Sequence, residues 1–474
     1  MPRRPQPSSY RPATTILALG DAFYDAVEPA LFPQTILRFR NQRWAEAVGL
    51  GVLDAAGWTG HFGRFSALPG SLKQPLALRY HGHQFRVYNP DIGDGRGFLF
   101  AQLRDGDGRL LDLGTKGSGT TPYSRFGDGR LTLKGGVREV LATEMLEALG
   151  VETSKSFSLI ETGEALERND EPSPTRSSVL VRLQHSHIRI GTFQRLAFLE
   201  QADEMRLLVD YCLDHYHGGT VGGEVGGDDP ALRLLERVVD AAARLAASYA
   251  AAGFVHGVLN SDNIAITAES FDYGPWRFTP LWDGFFTAAY FDQSRLYAFG
   301  RQPEAIHWNL VQLAKALSLV ADIETLAPAL DAFPVLFQSA LADAMFARLG
   351  IRRAKPARDR DFLIALEGAL AKQTVQLDRF FFDWRGGWKR GPSPADDAYR
   401  DEAFQTVIRL MRLYDAVPGA TRHAYWEDRE PCSMHIDEVE AIWRRIDEAD
   451  DWSAFEAKIT KVRRMGEAMH SGGA

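Results

Sequence analysis

Residues 253–275 of this 474-residue chain, GFVHGVLNSDNIAITAESFDYGP, limit the possible folds more than any other stretch. A helix of small residues is expected to end at Gly253. A His, a short polar loop, a brief apolar run and a second Asp follow. By local composition Asp262, Asn263 and Asp272 fall on loop positions, not core positions. Oxygen ligands of this kind suit a hard cation such as Mg²⁺, which one or two carboxylates and substrate phosphates usually hold.

The segment before it has a complementary pattern. Gly93-Asp94-Gly95-Arg96-Gly97 precedes an apolar run, Phe98 to Leu103, and Asp105 to Gly108 then supplies two Asp-Gly pairs. Such pairs tolerate the positive φ that tight hairpins demand. A second strand, Arg109 to Thr115, would deliver Lys116. Next comes an expected helix over 137–149, closed by Gly150, with Val137, Leu141 and Met145 on one stripe and Glu139 off it. Taken alone, Glu139 reads as a solvated surface acid. With Lys116 upstream it fits the kinase arrangement, in which a helix-borne Glu fixes a strand lysine against nucleotide. The kinase catalytic loop reads H-R-D-L-x-x-x-N. His256 and Asn263 keep that spacing, while Val258 stands where the base would be. The expectation is a loop that holds metal and nucleotide without the usual base.

Other candidates are less specific. Asp128 and Gly129 repeat the turn chemistry and offer a second phosphate-facing loop. Ser156 to Glu161 and Ser178 to Leu183 read as strands, and the second runs into Arg182 and Arg189. Guanidinium forks recognise phosphate oxygens, so this pair fits an anion site, or equally surface salt bridges. His81 with His83, and His185 with His187, could ligate a metal from one strand face. With no Cys or third His clustered beside them, hydrogen-bonding or packing roles are preferred.

The rest reads mainly as helix. Asn41 to Leu50 is expected as a short helix stopped by Gly51. Gly218 to Asp229 is a glycine-rich link with no lysine and no preceding strand, hence not a P-loop. Asp229 and Pro230 are a cap and first residue for a helix with Leu235, Val238, Ala242, Leu245 and Tyr249 on one face. Pro303 opens another helix, and residues 385–397 read as a linker. The division expected is 1–79 as leader and extension, 80–192 as a small lobe, 193–384 as a helical large lobe, and 385–474 as a C-terminal helical extension.

Bulk properties exclude several classes. A net charge of -8 argues against nucleic acid as the main partner. Two cysteines, Cys212 and Cys432, build neither a disulfide framework nor a thiolate zinc site, and a reducing, cytoplasmic compartment follows. The basic, proline-rich start reads as a disordered leader; its prolines oppose the amphipathic helix of a mitochondrial presequence. No apolar run is expected to reach the roughly 18 residues of a membrane span.

With these pieces in place, the chain resembles the selenoprotein O family of protein-kinase-like enzymes. LGDAFYDAVEPALFP, GHQF, IGDGRG, TKGSGTTPYSRFGDGR, VRE, SHIRIG, GFVHGVLNSDNIAI, DYGP and QPEAIHWNLVQLAKAL carry the likeness, in order from about residue 18 to 320. The final third shows little of it. The resemblance implies an α+β, two-lobed kinase-like fold that binds ATP in reversed orientation and transfers AMP to Ser, Thr or Tyr hydroxyls of proteins. It implies nucleotide contacts from Gly93, Gly95, Arg96, Lys116, Asp128, Gly129, Arg182, Arg189 and Asp272, and a Lys116–Glu139 ion pair. Asn263 and Asp272 would hold Mg²⁺ (or Mn²⁺), with Asp262 as proton acceptor. The competing expectation is a non-catalytic nucleotide-binding pseudokinase regulator, for which the dissimilar final third is the motive.

Overall fold

The computed structural model describes residues 5–169, 171–218 and 229–471. The glycine-rich link therefore lies almost wholly outside the described residues, as do the first four residues of the leader.

The hairpin chemistry builds the centre of a nine-stranded sheet. Leu99–Arg104 and Leu110–Lys116 pair antiparallel around the Asp-Gly turn, with Arg104 opposite Leu110 and Gln102 opposite Asp112. Asp105 holds the turn by accepting from the backbone N–H of Asp107 and Arg109 at 3.0 and 2.9 Å. Across the sheet the order is Tyr24–Ala26, Leu76–Leu78, Leu99–Arg104, Leu110–Lys116, Thr175–Gln184, Lys155–Leu166 and Ile36–Arg40. The two strands expected at 156–161 and 178–183 are thus longer at both ends.

The sheet is buried on both faces. Leu99, Leu159 and Leu180 pack beneath Leu133–Ala148, the glutamate helix. Phe100, Phe157, Val179 and Val181 face Trp58 and Phe62 of the N-terminal extension. Double burial explains why the Ser178 to Leu183 run is almost continuously apolar instead of alternating. The glutamate helix starts four residues before its expected Val137, because Thr132 caps it by accepting from Gly135 N–H at 3.1 Å. The short helix near residue 45 is also shifted: it spans Gln42–Ala47 and ends before Gly49, whose φ is 73°, and not at Gly51.

The second lobe is helical, built around Pro230–Ala252. Asp229 caps that helix, Pro230 opens it, and Gly253 closes it at φ 69° in the left-handed region that glycine enters without strain. Leu235, Val238, Ala242, Leu245 and Tyr249 are all buried, as their spacing requires. Residues 385–397 form no helix or strand, yet Arg385 is buried and donates to the carbonyls of Ala347, Arg348 and Met469. The last helix, Ser453–His470, returns to the small lobe, where Arg463 grips Glu144 through two bonds of 2.7 and 2.8 Å.

Two further sequence expectations need correction. The proline-rich start, expected as a disordered leader, is ordered from residue 5: Ser8 N–H donates to the Glu46 carbonyl at 3.0 Å, and Pro12–Ala13 pairs with Leu103 and Gln102 at the sheet. Residues 323–349 are long and apolar enough, by length and composition alone, to cross a membrane. They fold as two helices, Ile323–Asp331 and Phe333–Leu349, and pack in part against Pro230–Ala252. Core helices of soluble proteins pass the same test, so this segment carries no membrane assignment.

Candidate active site

Between the lobes lies a cleft of about 770 Å³ whose wall includes both strand ends, the glycine turn and the 253–275 segment. Lys116 stands at the end of its strand. The glutamate helix reaches it because Gly136 lets the helix settle on the sheet: a Cβ there would come within 2.4 Å of Leu159 Cδ1. Glu139, buried to 1 % exposure, meets Lys116 Nζ through Oε1 at 2.5 Å. The same Nζ lies 2.5 Å from Asp272 Oδ1, which Arg182 Nη1 approaches at 3.5 Å. Burial by itself would raise the Asp272 carboxyl, but Lys116, Arg182, Arg189 and Arg96 outweigh it and hold the group well below the usual carboxylate range. Asp272 sits at φ 62°, a left-handed conformation that costs a non-glycine residue energy and collects at functional sites.

His256 couples this acid to the polar turn. Its Nε2 bonds the Phe271 carbonyl at 3.0 Å and its Nδ1 accepts from Val258 N–H at 3.3 Å. Burial pushes its pKa down, so the ring is neutral and acts as a strut. The turn itself, Ser261–Asn263, is a single 3₁₀ turn. Asn263 donates its Nδ2 to the Val258 carbonyl at 3.0 Å, leaving Oδ1 as the atom available to a cation. Asp262 is 9 % exposed, and its Oδ1 finds no hydrogen-bond partner among the described residues. Burial raises its pKa from 3.8 to about 6, with the Arg189 charge opposing the rise.

Arg189 crosses the back of the cleft. It donates to Asp94 Oδ1 at 3.0 Å and to the Asp262 carbonyl at 2.9 Å, and lies over the Tyr80 and Phe271 rings at 4.4 and 4.9 Å. Asp94 in turn accepts from Leu78 N–H at 3.0 Å. The glycine turn is therefore pinned to the sheet through its one acid. Its glycines are required by close approach: a Cβ on Gly93 would lie 2.5 Å from the Tyr123 ring, and one on Gly97 2.0 Å from the Thr115 carbonyl oxygen. Lysine and arginine outnumber acids in the wall by seven to five, in a protein whose net charge is -8. That local reversal of sign suits a polyphosphate.

Comparison with known proteins gives the same direction. The family model described as protein adenylyltransferase SelO matches residues 8–463. The chain belongs to the SelO family. A protein of Gloeobacter violaceus named protein nucleotidyltransferase YdiU is 42% identical to it, over 96% of this chain and 95% of the relative. One of the same name from Synechocystis is 40% identical, over 96% and 98%. Among solved structures, a rhoptry antigen kinase domain of Toxoplasma gondii aligns at 11% identity and a TM-score of 0.27, covering 57% of this chain and 84% of that one; a superposition that loose carries no weight.

The chain has the two-lobed α+β architecture expected of it, and the family match extends the likeness beyond residue 320, where the sequence motifs stop. The dissimilar final third thus loses its force as a motive for a non-catalytic regulator. Gly93, Gly95, Arg96, Lys116, Asp128, Gly129, Arg182, Arg189, Asp262 and Asp272 all line the one cleft. Glu139 stands behind its wall, paired with Lys116, and Asn263 is not part of the lining. The Asp128 carboxylate is engaged by Arg168 at 2.9 and 3.2 Å and by Arg130 N–H at 2.9 Å. Of the histidines, His81 bonds Tyr88 and His83 bonds Gln194, at 2.8 and 2.7 Å.

Three supports escaped sequence reasoning. Asp94 was visible only as part of a glycine-rich turn. Gln302 accepts from His256 N–H and donates to the Phe254 carbonyl, both at 2.8 Å. Asn309 donates to the Leu259 carbonyl at 2.8 Å. Both amides sit on the buried side of a helix, where apolar residues are the rule, and that was the available signal.

Proposed function

We propose that the cleft binds ATP with its α-phosphorus turned toward Asp262 and transfers AMP to a Ser, Thr or Tyr hydroxyl of a protein. By family the chain is a protein adenylyltransferase, for which ATP is the substrate. The observation that carries the finer reading is a cation cluster beside a buried acid with one free oxygen: Lys116 and Arg182 meet Asp272, Arg189 donates to the Asp262 carbonyl, and Asp262 Oδ1 has no hydrogen-bond partner among the described residues.

The step balances as follows. The acceptor hydroxyl gives its proton to Asp262, and its oxygen attacks the α-phosphorus. The bond from that phosphorus to the α–β bridging oxygen breaks, and pyrophosphate leaves with the electron pair. A phosphodiester joins AMP to the protein. A pKa of about 6 keeps Asp262 ionised at neutral pH yet basic enough to take a proton, and general-base help of this kind is worth roughly 10²–10⁴-fold. Lys116, Arg96, Arg182 and Arg189 face the charge that develops on the departing phosphates, a fixed electrostatic term that is usually the largest available.

The donor types suit a hard divalent ion, with Asp272 in the cleft wall and Asn263 outside its lining. Asn263 Oδ1 and the Asp272 carboxylate are the groups that would hold Mg²⁺ or Mn²⁺, oxygen ligands of the type these ions prefer. Once bound, the ion would neutralise phosphate charge. Incubation with ATP labelled at the α- or the γ-phosphate tests the reading. Protein-bound label from the α position alone is expected; label from the γ position alone refutes it.

A further inference from the structure

The segment after Asp272 holds aromatic side chains in an unusual setting. Residues 283–301 fold back on themselves, with Phe299 N–H donating to the Phe286 carbonyl at 2.9 Å and Gly300 N–H to Gly284 at 3.0 Å. At the far end buried Asp292 accepts from Leu296 and Tyr297 N–H, both at 2.8 Å. Ala288, Ala289, Leu296 and Phe299 point inward and are buried. The loop is thus tied at base and tip. Yet Phe285 is 67% exposed, Tyr290 85% and Phe291 45%. The buried side chains order the loop, and the three rings left at its surface, Phe285 with Arg295 over it at 5.4 Å, form an exposed apolar patch of the kind that marks a contact site.

This ledge is continuous with the catalytic turn. The Tyr297 hydroxyl donates to Asn260 Oδ1 at 2.7 Å, two residues before Asp262. The same Oδ1 accepts from Phe85 N–H at 3.0 Å, and the Phe85 ring lies 5.9 Å from Phe291 and 5.2 Å from Tyr297. On the other side, Gly82 in the same hairpin as Phe85 abuts Asp262: its Cβ position is 3.1 Å from Asp262 Cβ. Phe291 thereby connects to the catalytic turn through Phe85 and Asn260, with Tyr290 beside it at 5.2 Å, so a polypeptide approaching Asp262 over this hairpin meets the ledge.

We infer that Phe285, Tyr290 and Phe291 form the docking ledge for the polypeptide that carries the acceptor hydroxyl, and that they select an apolar or aromatic side chain near that hydroxyl. The inference rests on the AMP-transfer reading above. Aromatic anchors in contact surfaces carry a disproportionate share of binding energy, so the ledge acts on recognition and leaves the chemical step alone.

The test uses the full chain, ATP labelled at the α-phosphate, and a peptide library with one Ser, Thr or Tyr acceptor among randomised neighbours. Label is expected to concentrate on peptides with Phe, Tyr, Leu or Ile at a fixed offset from the acceptor. In the exposed-site variant Tyr290→Ser/Phe291→Ser that preference disappears. KM for a favoured peptide rises about 10- to 30-fold, with kcat within about twofold and the thermal shift by ATP unchanged. Phe285→Ser alone gives a smaller rise in KM. Label that enters peptides without apolar preference, or a preference that survives the double variant, overturns the ledge while leaving AMP transfer standing. A variant that loses its response to ATP overturns it too, by making the loop structural; one that turns a dimer into a monomer with the preference intact assigns the rings to a second copy instead. Label absent from all peptides and from the enzyme itself removes the transfer reading and the ledge with it.

Discussion

Replacing Asp262 with Asn gives the sharpest test of the site's electrostatics. The variant keeps the shape of the neutral acid and cannot ionise. Burial lifts the Asp262 pKa from its ordinary 3.8 to about 6, so the native state binds the proton more tightly than the unfolded chain. Below pH 4 both states carry it and the group is neutral toward stability. As pH rises through the interval from about 4 to 6 the unfolded chain ionises first, and the native state loses ground. Above 6 the loss is complete: a gap of about two on the pH scale, at 1.36 kcal/mol each, is about 3 kcal/mol. In EDTA and without nucleotide, Asp262→Asn should therefore be more stable than the wild type by about 3 kcal/mol at pH 7.5, and by about half that at pH 5. Scanning fluorimetry reads this as a rise of a few degrees in Tm that shrinks as pH falls. The same variant should lose about 10²–10⁴-fold in AMP transfer, while wild-type kcat/KM climbs to a plateau above about pH 6. An Asn variant no more stable at pH 7.5, or one whose gain persists undiminished at pH 4, would refute the argument that burial outweighs the partners of this acid.

Glu139→Gln should cut transfer by at least about tenfold and cost about 1–3 kcal/mol, because Lys116 keeps Asp272 but loses its fixed partner; kinetics with label and Tm measure both. Gly114→Ala should destabilise by about 1–3 kcal/mol, since its Cβ would fall within 1.7 Å of His187 Nε2 and drive that ring into the cleft wall; a weaker thermal response to ATP accompanies the loss. Arg463→Ala removes both bonds to buried Glu144, and a loss of about 1–3 kcal/mol with slower transfer is expected from loosening the glutamate helix. Mg²⁺ alone should leave Tm unchanged, because Asp272 already faces Lys116 and Arg182. Mg²⁺ with ATP at a hundredfold excess over Kd should add about 2.7 kcal/mol, and Asp272→Asn should abolish that gain in a fluorimetric titration.

The legible parts of the fold are those with local chemistry. Asp105 to Gly108 announced a hairpin, Asp229-Pro230 and Gly253 bounded a helix, and Lys116 with Glu139 announced an ion pair, because each depends on neighbours within a turn or on one known spacing. Boundaries slipped where a cap outside the apolar stripe decided them, as Thr132 did for the glutamate helix. Gly49 stopped the first helix early because the incoming N-terminal segment crosses there: a Cβ on it would lie 2.1 Å from Tyr10 N. That contact joins residues 39 apart and has no local signal. The supports Asp94, Gln302 and Asn309 were hidden for the same reason, since each acts on backbone brought near only by the folded lobes.

At Val258 the main chain, not the side chain, holds the loop together. Its N–H donates to His256 Nδ1 and its carbonyl accepts from Asn263 Nδ2, so the backbone at this position ties the turn together whatever side chain it carries. The valine side chain packs against the main hydrophobic core. Loop geometry and proton acceptor are therefore separable: the first is set by His256, Asn263 and Asn309 through main-chain groups, and the second needs only a carboxylate facing the cleft. Asp262, four residues on, faces it from behind Gly82, with Arg189 bound to its carbonyl and the cation cluster beyond. An acid at 258 would instead be placed against apolar side chains, where an ionised group is costly. On the AMP-transfer proposal, a carboxylate at 262 leaves those main-chain ties in place and offers a proton acceptor that faces the cleft.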